Sequence, residues 1–309
     1  MRMFRLLVLS VFPVFLLAGC TKKQPKEPVV LYSSQDQIYA EPILKEFTRK
    51  TGIEIKPLFD SESAKTVGLA HRLRAERSYP ECDVFWSNEE LYSRTLARDD
   101  ILSSENIRTF GYRTRRLVIN TNKLALADAP HSLLELTNNY WRGKFVIAYP
   151  LFGTTGYHFL ALRQRWGDEL WKNWCHGILR NGVKVVDGNS VVVKLVGAGE
   201  ATIGLTDWDD INAGKKQGFP ITELPLNPEF IAIPNTVAIV RGAPHFPHAE
   251  MLRDFISNRE TVSNLVNAGA LEGADISQVQ TNLWQVDRSK SLEDFQEGAE
   301  FLRLVFVRS

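Results

Sequence analysis

Acidic side chains stand at the ends of short hydrophobic runs in this 309-residue sequence. Asp207, Asp209 and Asp210 follow one such run, and Asp36 follows another near position 30. Carboxylate oxygens bind hard metal cations at close range, and they also pair with ammonium or guanidinium groups. Further acids in comparable positions are Asp60, Glu62 and Glu89. The pattern predicts an acidic site for a small positively charged ligand.

Aromatic and neutral polar side chains accompany these acids. Trp86 and Trp208 lie beside them, and an indole face attracts a cation by about 0.5–2 kcal/mol. The other candidate ligand-binding residues come from the same strand-end loops: Ser34, Gln37, Asn88, Thr154, Thr155 and Asn189. An organic cation held between acids and indoles is therefore an alternative to a metal ion.

Some of these candidates have a purely structural alternative. Asp209 and Asp210 are favoured residues at the start of a helix, here one beginning at Ile211. Asp36 can cap a helix at Ile38 in the same way. Trp86 ends an apolar run and can belong to the core.

A small anion is a further alternative ligand. The Gly-Thr-Thr-Gly run at 153–156 lies between a predicted strand and a predicted helix, where it can cradle an anion or simply form a tight turn. Arg113, Arg115 and Arg116 are nearby in the predicted fold and could pair with that anion. We expect these three arginines to be solvated.

Composition restricts the class of protein. Lys plus Arg total 37 and Asp plus Glu total 36, so the formal charge of +1 excludes nucleic-acid binding driven by bulk positive charge. A hydrophobic content of 44% predicts a globular chain, and the length favours two lobes. Gly-x-Ser-x-Gly and His-Glu-x-x-His motifs are absent, so we expect a binding protein; an exported hydrolase using its clustered acids is the less favoured alternative.

The N-terminus predicts export. Two basic residues precede a 12-residue apolar run, followed by Leu-Ala-Gly and Cys20. This end resembles the lipobox of bacterial lipoproteins, which implies removal of residues 1–19, lipidation of Cys20, and a tether at 20–28. Cys82 and Cys175 would then lie in an oxidising compartment, where they either pair or remain buried free thiols.

The mature chain alternates β-rich runs with helix-periodic segments, which predicts an α/β fold with parallel strands. In such folds ligands bind beyond the carboxyl ends of the strands. Strands crossing between two lobes are expected near 115–119 and 230–240. Two facing lobes would bury a ligand in the cleft between them.

Several segments resemble the ferric-iron-type solute-binding proteins of bacterial ABC importers. They lie in the same order along the chain: 30–34, 47–53, 83–86, 153–156, 199–205, 234–236 and 249–258. The resemblance implies a two-lobed type II periplasmic binding fold with hinge-crossing strands. The expected lobes are 29–116, with 237–287 returning to the first lobe, and 117–236, with 288–309 packing on the second.

The same resemblance implies cargo and partners. Iron binders of this family use an early His or Gln, a Glu after the third strand and two adjacent Tyr. This chain departs from that set: it has Asp36 at the first position, Asn88 with Glu89 next to it at the second, and Asp209 and Asp210 in place of the tyrosines. The predicted metal ligands are Asp36, Glu89, Asp209 and Asp210. The implied role is capture of iron or another metal ion as cargo, without a cofactor. Delivery would be to an ABC permease and ATPase, from a lipid-anchored position facing the periplasm or the exterior.

Overall fold

A computed structural model describes residues 27–59, 67–151, 153–225, 227–279, 283–284 and 286–306. The expected signal peptide, the lipidation site at Cys20 and most of the tether lie outside the described residues, as do Asp60 and Glu62. Among the described helices, none combines the length and apolar character needed to cross a bilayer.

Nine strands occur in the described part of the chain. They are Val29–Ser33 (β1), Ile55–Phe59 (β2), Val84–Ser87 (β3), Arg108–Asn120 (β4), Phe145–Ala148 (β5), Lys184–Val186 (β6), Ile203–Asp207 (β7), Ile221–Glu223 (β8) and Ala232–Ile239 (β9). They form one sheet in the order β2-β1-β3-β9-β4-β7-β5-β6, with β8 also paired to β4. The pairs β1–β2, β1–β3, β5–β6 and β5–β7 are parallel, as the alternating pattern predicts.

The α-helices cover both faces of this sheet. Their bounds are Gln37–Thr51 (α1), Val67–Ala75 (α2), Leu91–Arg98 (α3), Gly153–Trp166 (α4), Asp168–Arg180 (α5), Asn189–Gly197 (α6), Trp208–Lys216 (α7), Phe246–Ser257 (α8), Arg259–Ala268 (α9) and Arg288–Phe306 (α10). Short 3-10 turns lie at Ser104–Asn106, Leu126–Asp128, Leu133–Thr137, Asn139–Trp141 and Ile276–Gln278.

The long strand β4 joins the two parts of the sheet. Its first half pairs antiparallel with β9, up to Thr114, and its second half pairs with β7 from Arg115 onward. A bulge at Gly111 separates Phe110 from Tyr112, and this glycine has φ +55. A Cβ there would lie 2.4 Å from Leu271 Cδ1, so only glycine fits. Strand β4 thus changes its pairing partner between Thr114 and Arg115, at the start of the crossing predicted near 115–119.

Two helices begin earlier than the sequence pattern predicts. The helix expected from Tyr157 begins at Gly153, so the Gly-Thr-Thr-Gly run is its first turn. The helix expected from Ile211 begins at Trp208, with Asp207 at the N-cap position and Asp209 in the first turn. These shifts determine the directions of the polar side chains in the site.

Hydrophobic packing follows the two parts of the sheet. One cluster buries Trp86 together with Phe110 and Val237, on the side of β1 and β3. Trp86 therefore belongs to the core, and the prediction that its indole faces a ligand is wrong. A second cluster surrounds β5 and β7 and includes Leu302 and Phe306 of α10. The packing expected for the apolar C-terminal stretch is thereby confirmed for these two residues.

Cys82 and Cys175 are both buried and free, which is the second of the two alternatives for them. Burial raises the pKa of the Cys82 thiol well above its usual range. Neither thiol has the low pKa of a reactive cysteine, since burial also raises the pKa of Cys175.

Candidate functional site

Two buried arginines of β4 form the base of the site. Arg113 and Arg115 are two positions apart, so their side chains leave the same face of the strand. Arg115 Nη1 lies 2.8 Å from Asp207 Oδ1, and Arg113 Nη1 lies 3.0 Å from Asp209 Oδ2. All four side chains are at most 2% exposed. The expectation that these arginines are solvated is therefore wrong, because each is neutralised by a buried aspartate.

The carboxylate of Asp207 is fully engaged. Besides Arg115, it accepts hydrogen bonds from the Thr154 hydroxyl at 2.5 Å and from Asn189 Nδ2 at 2.9 Å. Arg115 Nη1 also donates to Asn189 Oδ1 at 3.0 Å. Strand β7 supplies Asp207, helix α4 supplies Thr154 and helix α6 supplies Asn189, so one carboxylate joins three elements. A buried charge is stable when it is paired and hydrogen-bonded in this way.

The carboxylate of Asp209 is less well satisfied. Its Oδ1 is buried and has no hydrogen-bond partner among the described residues. Burial raises the pKa of Asp209 to about 7, an effect that Arg113 opposes and that Asp207 and Asp36 reinforce. Asp209 therefore exchanges a proton near neutral pH, where an incoming cation would favour its charged form.

Arg113 is held from its other side by the amide of Gln35, which Asn235 in turn positions. Its Nη2 donates to Gln35 Oε1 at 2.9 Å, and Asn235 Nδ2 donates to the same oxygen at 3.1 Å. Its Nε is buried without a partner among the described residues. Gln35 follows β1 and Asp209 follows β7, so this guanidinium connects the two parts of the sheet. Gln35 lies in the strand-end loop that supplied the predicted Ser34, Asp36 and Gln37.

A cleft opens in front of these pairs. Predicted residues in its lining are Asp36, Asn88, Thr154, Thr155, Asn189, Asp207 and Asp210. Asp36 and Asn88 follow β1 and β3, whereas the others follow β5, β6 and β7. The cleft thus lies where strand ends from both parts of the sheet meet, as the strand-end rule predicts.

A group of carboxylates could hold a metal ion in this cleft. Oxygens of Asp207, Asp209 and Asp210 lie within 4.8 Å of one another. Carboxylates are hard ligands of the kind that bind hard cations. Two of the three already have an arginine partner, so a metal ion would compete with Arg113 and Arg115 for them.

Helix N-termini form another wall of the cleft. Gly153 and Thr154 begin α4, and Gly188 and Asn189 begin α6. Gly153 has φ +52, with open space within 4 Å of where its Cβ would be. The first N–H groups of a helix have no intrahelical partner and favour negative charge. The cleft therefore combines acidic side chains with a wall suited to an anion.

Other predicted residues lie away from the cleft lining. Glu89 is buried at the start of α3, where its carboxylate accepts from the backbone N–H groups of Leu91 at 2.5 Å and Tyr92 at 3.2 Å. Burial raises the pKa of Glu89 to about 8. The structure thus contradicts Glu89 as a metal ligand, because its oxygens cap a helix.

The remaining predicted residues have supporting or peripheral positions. The buried Ser34 hydroxyl accepts from the Asn88 N–H at 3.0 Å and so positions Asn88. Gln37 is exposed as the first residue of α1, and Trp208 is half-buried at the start of α7. Neither is among the residues that line the cleft.

Three polar residues near the cleft were not predicted. Tyr149 and Asp187 line it after β5 and β6, positions that the strand-end rule could have found. Tyr39 lies on α1; burial raises its pKa to about 12, and Asp209, Asp210 and Asp36 add to the increase. Its hydroxyl therefore stays protonated and available as a donor at neutral pH.

The sequence is similar to those of known bacterial proteins. Residues 29–269 match the family model of the bacterial extracellular solute-binding proteins. The major ferric iron-binding protein of Neisseria meningitidis (serogroup A, strain Z2491) is 26% identical over 216 residues, 63% of each chain. The alignment thus spans less than two thirds of the curated relative.

Solved structures show the same fold. Iron-bound HitA from Pseudomonas aeruginosa superposes with a TM-score of 0.80 at 20% identity, covering 90% of this chain and 99% of HitA. AfuA from Actinobacillus pleuropneumoniae, with fructose-6-phosphate bound, superposes with a TM-score of 0.79 at 17% identity. This match covers 92% of this chain and 100% of AfuA. The predicted two-lobed periplasmic binding fold is confirmed by these neighbours.

Proposed function

Because the chain belongs to the family of bacterial extracellular solute-binding proteins, we propose that it is the solute-binding component of an ABC import system. It captures a small solute with a cationic centre between its two lobes and delivers it to a membrane permease served by an ATPase. The observation that carries this proposal is that Asp36, Asp207 and Asp210 line one cleft from both parts of the sheet.

A metal ion is the first candidate cargo. The cluster of Asp207, Asp209 and Asp210 offers hard oxygen ligands, and a relative is named for binding ferric iron. Asp36 can approach from the opposite wall once the cleft closes. The ion would be cargo to be released, so we expect no resident cofactor and no enzyme activity.

An organic ammonium solute is the second candidate. Arg113 and Arg115 already neutralise two of the cluster's carboxylates, which weakens the attraction for a bare ion of high charge. Asp36 and Asp210 line the same cleft, and the single positive charge of an ammonium group suits these two acids.

The place of action follows from the family and from the N-terminal pattern. The protein acts outside the cytoplasmic membrane, in the periplasm or at the exterior surface. Lipidated Cys20 would keep it at the membrane beside the permease, with 20–28 as tether. We further propose that the lobes are 29–116 with 237–287, and 117–236 with 288–309, hinged about β4.

Calorimetric titration with ferric citrate and with simple amines tests the cargo. We expect tight 1:1 binding of one of these two classes of ligand. The affinity should fall at least tenfold in Asp210→Asn and should be unchanged in Asp128→Asn, a control at an exposed position. Ligand binding should also raise the melting temperature, because only the folded state binds. Binding that is equal in all three proteins would overturn the proposed site.

A further inference from the structure

The guanidinium group of Arg113 is a positive charge inside the acidic cluster. Arg113 is 1% exposed, and its Nη1 lies 3.0 Å from Asp209 Oδ2. Burial opposes this charge, but the attraction of nearby carboxylates raises the pKa of Arg113 above its ordinary value. These carboxylates belong to Asp209, Asp207, Asp36 and Asp210. Arg113 therefore occupies the electrostatic position that a cationic cargo needs.

The neighbouring Arg115 is held more firmly than Arg113. The terminal nitrogens of Arg115 contact Asp207, Asn189, Thr154 and the Leu205 carbonyl. Those of Arg113 contact Asp209 and Gln35. Arg113 also lines the cleft, whereas Arg115 is not among the lining residues. Arg113 is therefore the arginine that has fewer bonds to break and open space beside it.

Asp209 is the carboxylate that Arg113 and a cargo ion would share. Its Oδ2 faces Arg113, and its buried Oδ1 has no hydrogen-bond partner among the described residues. Oxygens of Asp207, Asp209 and Asp210 lie within 4.8 Å of one another, so one ion can contact all three. In a buried site a guanidinium repels such an ion, and the repulsion increases with the charge of the ion. Binding of the ion therefore favours the departure of Arg113.

We propose that Arg113 is an internal competitor of the cargo. In the unliganded protein its guanidinium is the counter-ion of the acidic cluster, and a metal ion binds by displacing it from Asp209 into the cleft. Asp36 lines the cleft on the side of β1 and attracts the displaced guanidinium. Arg115 stays paired with Asp207. This inference rests on the proposed import function and on the first of its two cargo classes.

An internal competitor makes the site selective for charge. A singly charged ion offers the carboxylates no more attraction than the guanidinium that it must displace. A metal ion with two or more charges offers more, so it enters the site while weaker cations are excluded. The competition also lowers the net affinity for the metal ion, which suits a protein that must release its cargo to a permease.

Removal of the charge at position 113 tests the proposal. Calorimetric titration of Arg113→Met with ferric citrate should give 1:1 binding at least tenfold tighter than that of the wild type. Ethanolamine, a singly charged probe, should also bind at least tenfold tighter to this variant. Arg113→Lys keeps a positive charge at this position and should bring both affinities back towards the wild-type values.

The matched control removes a charge from the same strand outside the cluster. Arg116 pairs with Glu272 and is not among the residues that line the cleft. Arg116→Met should therefore leave both affinities within twofold of the wild-type values. Circular dichroism of each variant confirms that the fold is retained.

A second measurement uses the wild-type protein and does not depend on the folding of a variant. The arginine side-chain signals in nitrogen NMR spectra can be followed while gallium citrate, a diamagnetic trivalent probe, is added. The Arg113 signal should shift on binding, because its ion pair with Asp209 is broken. The Arg115 signal should move much less, since its contacts are retained.

The outcomes separate this inference from the proposed function. If the wild type binds ferric iron 1:1 and Arg113→Met binds it no more tightly, the inference is wrong and the import function stands. The same conclusion follows if bound gallium leaves the Arg113 signal unchanged. If neither protein binds any of these probes, the inference is overturned and the proposed function loses its site.

Discussion

The two arginine–aspartate pairs on β4 look alike but differ in what surrounds them. Arg115 and Asp207 are embedded in a network with Thr154 and Asn189, in which both carboxylate oxygens accept hydrogen bonds. The Arg113–Asp209 pair, two residues along the strand, leaves the Asp209 Oδ1 without a partner among the described residues. The first pair therefore stabilises the fold, and the second is the one that a ligand can rearrange.

The largest expected effect comes from breaking the satisfied pair. Asp207→Asn leaves Arg115 buried and unpaired and disrupts the Thr154 and Asn189 hydrogen bonds, so we expect a loss of about 3–5 kcal/mol in the free energy of unfolding. Chemical denaturation at pH 7 measures it, with exposed Asp128→Asn as control. A loss below about 1 kcal/mol would show that the two pairs do not differ as described.

A smaller effect is expected at Glu89, a buried carboxyl that accepts hydrogen bonds from backbone N–H groups at the start of α3. Its folded-state pKa of about 8 lies above its ordinary value of 4.5, so the folded state holds a proton that the unfolded state releases. The wild type therefore loses stability as pH rises from 4.5 through 8. Glu89→Gln should remove this loss. Its free energy of unfolding should therefore rise by roughly 2–3 kcal/mol relative to that of the wild type between pH 5 and pH 9.

Parallel denaturation curves of wild type and Glu89→Gln at several pH values check this expectation. The difference should grow steadily with pH and level off above about 8. A difference that is independent of pH would mean that Glu89 is ionised in the folded state and would contradict the raised pKa of this buried carboxyl.

The less satisfied pair should respond weakly to the equivalent change. Asp209 has a raised pKa of about 7, so it is largely protonated below that pH and Asp209→Asn mimics its neutral form. We expect the free energies of unfolding of the variant and the wild type to differ by no more than about 1–2 kcal/mol. The variant should become more stable relative to the wild type as pH rises from 4 through 7, because the wild type loses its Asp209 proton. A loss as large as that of Asp207→Asn, measured at pH 5.5, would remove the distinction between the pairs.

The smallest effect is expected at an exposed ion pair. Lys172 Nζ lies 2.5 Å from Asp168 Oδ2 on α5, and both side chains are more than 40% exposed. Lys172→Ala should change the free energy of unfolding by no more than about 0.5 kcal/mol, since water and salt screen the pair. The same denaturation assay provides the baseline for the buried pairs.

The sequence predicted part of this site for a clear physical reason. Asp36, Asn88, Asp207 and Asp210 follow strands, and strand ends meet at one edge of an α/β sheet, so their shared cleft was foreseeable. Burial of Arg113 and Arg115 was not, because an arginine on a strand resembles a surface residue until its partner is known. Those partners lie about 90 positions away along the chain.

Helix starts explain the other differences. Helix α3 begins at Leu91, two residues after Glu89, so the Glu89 carboxylate reaches backbone N–H groups of the first turn. Similarly, α4 begins at Gly153, which converts a predicted loop into a helix N-terminus that faces the cleft. Helix boundaries are set by tertiary contacts as well as by local propensity. A shift of the helix start by one residue changes the direction of a polar side chain at that boundary.

Native mass spectrometry of the protein purified without added solute tests the central claim most directly. The account predicts one small solute per chain, carrying a metal ion or an ammonium group, and its loss from Asp210→Asn under the same conditions. Retention of a solute with only negative groups, or equal retention by Asp210→Asn, would contradict the claim that this acidic cleft captures a cationic centre.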